Sequence, residues 1–357
     1  FLAGALGGTV TGTTKFHIDY GGNNTLTVGE QILYEIGDPA AYIMPDVICD
    51  FSDISLTQAG KDRVDIAGVK GRAPTPHYKV SATYPDGYRA TAVTVITGFD
   101  APSKGRHFGE ALLRRTRTLF RERNFGDYRD TAIHLIGAQT LWGDNADEQA
   151  PVAREITARI DVRHDEKAAV DLFSKEATGV GLSMTTGRAP GGAAGRPKVT
   201  PVVAQYAFLI GKDQISPVVT VGSETFDVPE RPSSYTMEII RSPDMRAVEV
   251  TGSDLVEVPL IDLAVARSGD KGDSANVGVM ARSDAYLPYI ASALTEAAVK
   301  KWFSHTTQGD VHRYAAPGMQ AFNFLLTRSL GGGGTSSLHL DSQAKTYGQQ
   351  ILAIGMA

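Results

Sequence analysis

Residues 266–279 read ARSGDKGDSANVGV, and few other stretches of the chain collect so many reactive side-chain types so closely. Asp270 and Asp273 can abstract a proton or hold a hard cation. Arg267 and Lys271 supply positive charge for an anion. Ser268, Ser274 and Asn276 offer neutral hydrogen bonds. Gly269 and Gly272 allow left-handed backbone, so that neighbouring N–H groups can converge on an anion. Asp270, Lys271 and Asp273 are therefore the catalytic candidates. Arg267, Ser268, Gly269, Gly272, Ser274 and Asn276 are the binding candidates. A divalent metal at Asp270 and Asp273 is the one cofactor this pattern offers, although their spacing breaks the alternate-residue arrangement of an EF-hand. The stretch reads as a loop between two strands, longer than the roughly two to five residues of a hairpin turn. The competing reading is a solvated turn whose charges compensate one another and contribute little.

A second basic, glycine-rich stretch, GRAPGGAAGRPK (187–198), carries Arg188, Arg196 and Lys198. These can pair with phosphates, such as those of a coenzyme A or a nucleotide. The alternative is a flexible exposed loop, since neither a phosphate-binding loop with lysine nor a dinucleotide fingerprint is present. The run SLGGGGTSSLHLD (329–341) lacks that lysine too, and it reads as a turn giving close backbone approach. No His-x-x-x-His pair suggests zinc, and no Gly-x-Ser-x-Gly elbow suggests a hydrolase triad. The single cysteine, Cys49, sits in the apolar run DVICDF and reads as core.

Composition narrows the classes. The chain has 357 residues, 42% hydrophobic and 21% charged, with a formal net charge of -5. That suits two or three packed domains and argues against a nucleic-acid or membrane-surface binder, which needs a basic excess. One cysteine permits no internal disulfide and fits a reducing, cytoplasmic compartment. No apolar run approaches the roughly 18 residues of a spanning helix. The opening residues FLAGALGGTVTG lack the basic start of a signal peptide and read as a chain entered partway through a larger unit.

The elements that must position these residues follow from periodicity. Residues 1–30 are rich in glycine and threonine, with a turn cluster at DYGGNNTLT. VGEQILYEI then reads as a helix capped by Thr27, with Glu30 closing a capping box. Short strands fill 43–98, with YPDGY (84–88) as a hairpin turn. An amphipathic helix over 102–123 buries Phe108, Leu112, Thr116, Leu119 and Phe120. Strands at TAIHLIGAQ and EITARIDVRH and a helix beginning at Asp165 make the core of a split-βαβ unit. A further strand is expected near 200–210. The last hundred residues read as a compact unit: strand, the charged loop, strand, one long helix from Asp284, two strands and a terminal amphipathic helix. The fold class is α+β, with a domain over 1–221, a linker over 222–256 and a second domain over 257–357.

The blocks TVGEQILYEIGDPAAYIMPDVICDFS, GGAAGRPKV, LAVARSGDKGDSANVGV and GGGGTSSLHLDSQAKTYGQQIL resemble the acyclic terpene utilisation protein AtuA family, from about Thr27 to the C-terminus. The resemblance implies a ferredoxin-like C-terminal domain. It implies a role in breaking down citronellol- and geraniol-like compounds through acyl-CoA esters. One step so implied is a carbon–carbon lyase reaction, splitting a 3-hydroxy-3-isohexenylglutaryl-CoA into acetate and a 3-oxoacyl-CoA. The ligand expected is an acyl-CoA or another anionic small molecule. The family's usual length implies a further N-terminal α/β region, which a second polypeptide can supply, and a homo-oligomer is expected. The alternative is a non-catalytic subunit, or a binding module for an anionic metabolite, in which the charged loop is buried and satisfied within the fold.

Overall fold

The computed structural model describes residues 24–180, 183–190, 195–228 and 256–356. Residues 19–23 of the expected turn cluster and most of the expected linker lie outside them, while residues 24–27 of that cluster cap and open a helix. The chain is α+β and divides into two compact units that alternate along the sequence. One comprises residues 1–82, 207–330 and 343–357; the other comprises 83–206 and 331–342.

The first unit is built on an antiparallel sheet ordered Ala264–Lys271, Ser274–Ala281, Ala321–Leu326, Val311–Ala316. Alternation along the central strands sends residues to two faces. Ala275, Val277 and Val279 join Ile290, Val299, Phe303 and Tyr347 in one core. On the other face Met280 and Ala321 join Val28, Ile32, Leu33 and Phe51. The helix covering that second face is Thr25–Glu35, one turn earlier at its start than its sequence suggests. Its N-cap is Asn24, whose Oδ1 accepts from the backbone of Leu26 and Thr27, while the Thr27 hydroxyl closes the box in place of Glu30. Glu30 is thereby released from capping.

The long helix expected from Asp284 is broken. Leu287–Ala293 and Glu296–Trp302 are separate helices: Ser283 caps the short 3-10 turn Asp284–Tyr286 before the first, Pro288 is admitted in that helix's first turn, and Thr295 caps the second. The terminal helix is shorter than its pattern, Tyr347–Ile351. Residues Glu224–Asp227, within the expected linker, form a strand paired with Val218–Val221. Cys49 is only partly buried, with burial raising its thiol pKa.

In the second unit, strand Glu155–His164 lies between Asp130–Ile136 and residues 88–97 of strand His77–Thr97. Helices Ala101–Glu122 and Lys167–Gly179 pack their apolar faces on it. Phe108, Leu112, Thr116 and Phe120 are buried as expected, with Leu119 at the margin. Two sequence expectations need correction here. YPDGY is no hairpin turn, because the strand His77–Thr97 runs through it. Gly87 has φ +80°, and a Cβ there would sit 2.6 Å from the His164 carbonyl oxygen, so glycine serves close approach. Asp165 does not cap the following helix; His164 Nδ1 accepts from the Glu166 backbone instead.

Candidate functional site

The charged stretch is not a loop. Residues 264–271 and 274–281 form a continuous hairpin, paired from Ala264↔Ala281 to Lys271↔Ser274 and closed by the two residues Gly272 and Asp273. Gly272 takes φ +70°, as a tight hairpin turn requires. The apparent length of the stretch came from polar side chains that lie within the strands.

Much of that polarity holds the unit together. Asn276 is fully buried, and its Nδ2 donates to the carbonyls of Leu33, Tyr34 and Ile36, at 2.8, 3.1 and 3.2 Å. Lys271 Nζ donates to Tyr34 O at 2.9 Å, and burial lowers its pKa. Asn323 from the neighbouring strand donates to Ile36 and Gly37. Together these three side chains cap carbonyls at and just beyond the C-terminus of helix Thr25–Glu35. Ser268 Oγ donates to Ala344 O at 2.5 Å and accepts from Gly348 N at 2.6 Å. The Asp273 carbonyl accepts from Ser329 N and Leu330 N. Gly269 lets the Tyr34 ring approach, since a Cβ there would lie 2.4 Å from Cε2.

What this scaffold presents is a cluster around Tyr34. Arg267 Cζ, Lys271 Nζ and Lys345 Nζ stand 5.2, 5.4 and 4.4 Å from the centre of its ring. The Lys345 amine also donates to the Tyr34 hydroxyl and lies 3.9 Å from Asp270 Oδ1. Beside this cluster is a cleft of about 240 Å³ along strand Ala264–Lys271, lined by Glu30, Ala266, Arg267, Ser268, Lys345, Gly348 and Gln349. Burial raises the Glu30 pKa, with the charges of Arg267 and Arg282 pulling the other way. The arrangement places one carboxyl, its pKa raised by burial, among cations.

Sequence reasoning assigned Glu30 a capping role only, and did not single out Tyr34 or Lys345. The signal was present: Glu30 and Tyr34 are four apart on a helix and so share a face. Lys345 stands in the terminal block QAKTYG. Among the described residues no group of three or more His, Cys, Asp or Glu is placed to hold a metal ion.

The second unit has its own polar features. Asp161 is buried, accepts from Thr91 Oγ1 at 2.6 Å and pairs with Arg159 at 2.8 Å. Asp86 pairs with Arg163 and Arg129, both at 2.6 Å. Residues 331–333 of the glycine run all have positive φ, and the run brings Ser336 O to Arg163 Nη1 at 3.1 Å. Its composition suggests a turn giving close backbone approach; the glycines at 331–333 serve the positive φ of that turn, since a Cβ at Gly331 or Gly332 would meet only side-chain atoms. Arg188, Arg196 and Lys198 do come together, lining a cleft of about 660 Å³ with Thr91, Thr94 and Phe108.

An antiparallel four-stranded sheet covered by helices, with a basic cleft at its signature hairpin, defines an α+β protein of ferredoxin-like type in its C-terminal part. The chain belongs to the acyclic terpene utilisation family: the model of the family described as "Acyclic terpene utilisation family protein AtuA" matches residues 8–221, and that of the AtuA ferredoxin-like domain matches residues 258–357. Neither a curated protein nor a solved structure matches it. Membership implies involvement in acyclic terpene utilisation. Among the described residues no helix is long and apolar enough to cross a membrane.

Proposed function

We propose that the chain acts on an acyl-CoA ester of acyclic terpene breakdown, as a carbon–carbon lyase whose reacting end lies in the cleft of Glu30, Arg267 and Lys345. The substrate resembles a 3-hydroxy-3-isohexenylglutaryl-CoA. In the reaction, a base takes the proton of the tertiary hydroxyl and the new carbonyl forms. The bond to the carboxymethyl group breaks, and that carbon keeps the electron pair. Protonation of the carbon gives acetate, leaving the 3-oxoacyl-CoA.

The observation that carries this reading is a carboxyl with a burial-raised pKa standing beside two cations in one cleft. Such a group suits proton transfer in both directions. Arg267 can take the substrate carboxylate, and Lys345 can face the charge that develops on the enediolate. Asp270 holds Lys345 from the other side. A space of about 240 Å³ admits the branched acid end, not the whole ester. Lys271 and Asp273 act by holding the hairpin and the end of the helix.

Release of acetate and the 3-oxoacyl-CoA, followed by chromatography, tests the assignment. Glu30→Gln should lower kcat by about 10²-fold or more, the usual contribution of a positioned acid or base. Glutamine replaces a carboxyl that burial already biases toward neutrality, so the unfolding midpoint should hold. Arg267→Gln should raise KM. Full turnover by Glu30→Gln would end the reading.

One observation favours the alternative of a non-catalytic binding module: Ser268, Lys271 and Asn276 are committed to backbone carbonyls. Under it, the wild-type chain binds the ester and releases no product.

A further inference from the structure

The larger cleft, in the unit of residues 83–206 and 331–342, has no part in the reaction just described, and its chemistry is one-sided. About 660 Å³ in volume, it is within the range that holds a small organic ligand. Arg188, Arg196 and Lys198 line it, and among the described residues no carboxylate does. Arg188 is held in place: its Nε donates to Thr94 Oγ1 at 2.8 Å, and its guanidinium lies 5.3 Å from the centre of the Phe108 ring. Its base is short strand Arg188–Pro190, paired to Thr94–Ile96, so the side chain is set on a rigid element. Burial works against its charge, and no acidic group offsets that burial. The floor is apolar, with Phe108, Ala92 and Ala177 all buried. A surface loop with incidental charge has neither an anchored arginine nor an aromatic floor.

We infer that this cleft binds an amphiphilic organic anion, whose phosphate or carboxylate head meets Arg188, Arg196 and Lys198 and whose apolar part lies on Phe108. Guanidinium groups pair with either head in fork geometry. With no carboxylate among the described lining residues, the cleft's positive charge is left for a ligand to neutralise. Its lining residues lie in the other unit and none is shared with the cleft at Glu30.

Isothermal titration of the full chain tests this with three probes: coenzyme A, octanoate and inorganic phosphate. Saturable binding of coenzyme A or octanoate, weakening with added salt, is expected. Preference for coenzyme A identifies a phosphate head, and preference for octanoate a carboxylate head. Arg188→Gln should weaken binding at least tenfold. The double variant Arg196→Gln, Lys198→Gln changes two exposed side chains, so it should keep the wild-type melting temperature while losing affinity and most of the salt dependence. Inorganic phosphate binding as tightly as coenzyme A would overturn the role of the apolar floor. Saturation by none of the probes, or unchanged binding by both sets of variants, would overturn the site. Loss of turnover in Glu30→Gln with these titrations intact, or the reverse, separates this inference from the lyase reading.

Discussion

At the scale of single residues, the signature stretch divides its labour. Asn276 and Lys271 hold the end of a helix, Ser268 holds the segment 344–348, and Arg267 alone of the predicted ligands both meets Tyr34 and lines the cleft. The buried amine of Lys271 gives this division a pH signature. Burial lowers its pKa in the folded chain, so between that value and the unfolded value of about 10.4 the unfolded chain binds more protons. Stability should therefore rise with pH through that window, and the lysine's contribution should fall away below it. Denaturant titrations at a series of alkaline pH values should show that rise in the wild type and a flatter profile in Lys271→Met. Identical profiles would mean the amine is not held as described. The residue types in this stretch were legible from sequence, but their division was not. A lysine that caps a helix and one that meets a ligand look alike in sequence, because the deciding carbonyls lie more than 200 residues away.

At the scale of elements, two glycines set how closely helix Thr25–Glu35 can lie on the hairpin. A Cβ at Gly278 would stand 2.5 Å from Leu33 Cβ, and one at Gly269 would enter the Tyr34 ring. Neither position needs a positive φ, so the requirement is space alone. Gly278→Ala should destabilise the chain by about 1–3 kcal/mol, the usual range for overpacking a core. It should also lower turnover, because Glu30 and Tyr34 ride on the displaced helix. Unfolding in urea and the acetate assay measure the two effects. Periodicity located most elements, including helix Ala101–Glu122 to within a residue at each end. It failed where tertiary contacts override local signals. YPDGY has turn composition, yet Asp86 is drawn into ion pairs with Arg129 and Arg163 and the strand continues. The run after Asp284 has helical composition, yet Thr295 starts a new helix after a break at Leu294.

At the scale of the whole molecule, an acidic chain of net charge -5 carries two clefts lined by basic side chains. Local enrichment against the overall charge is what recognition of an anion requires. The α+β class was readable from the order of strand-like and helix-like runs. The compact units interleave along the chain, with residues 207–330 and 343–357 in the same unit as residues 1–82, an arrangement that only long-range contacts define. The central claim is that the cleft at the signature strand receives the acid end of an acyl-CoA ester. The most direct measurement is electron density from crystals saturated with an unreactive thioether analogue of that ester. A carboxylate is expected within hydrogen-bond reach of Arg267 and Lys345, with the tertiary carbon next to Glu30. Density for the whole analogue elsewhere, with the Glu30 cleft empty at saturation, would contradict it.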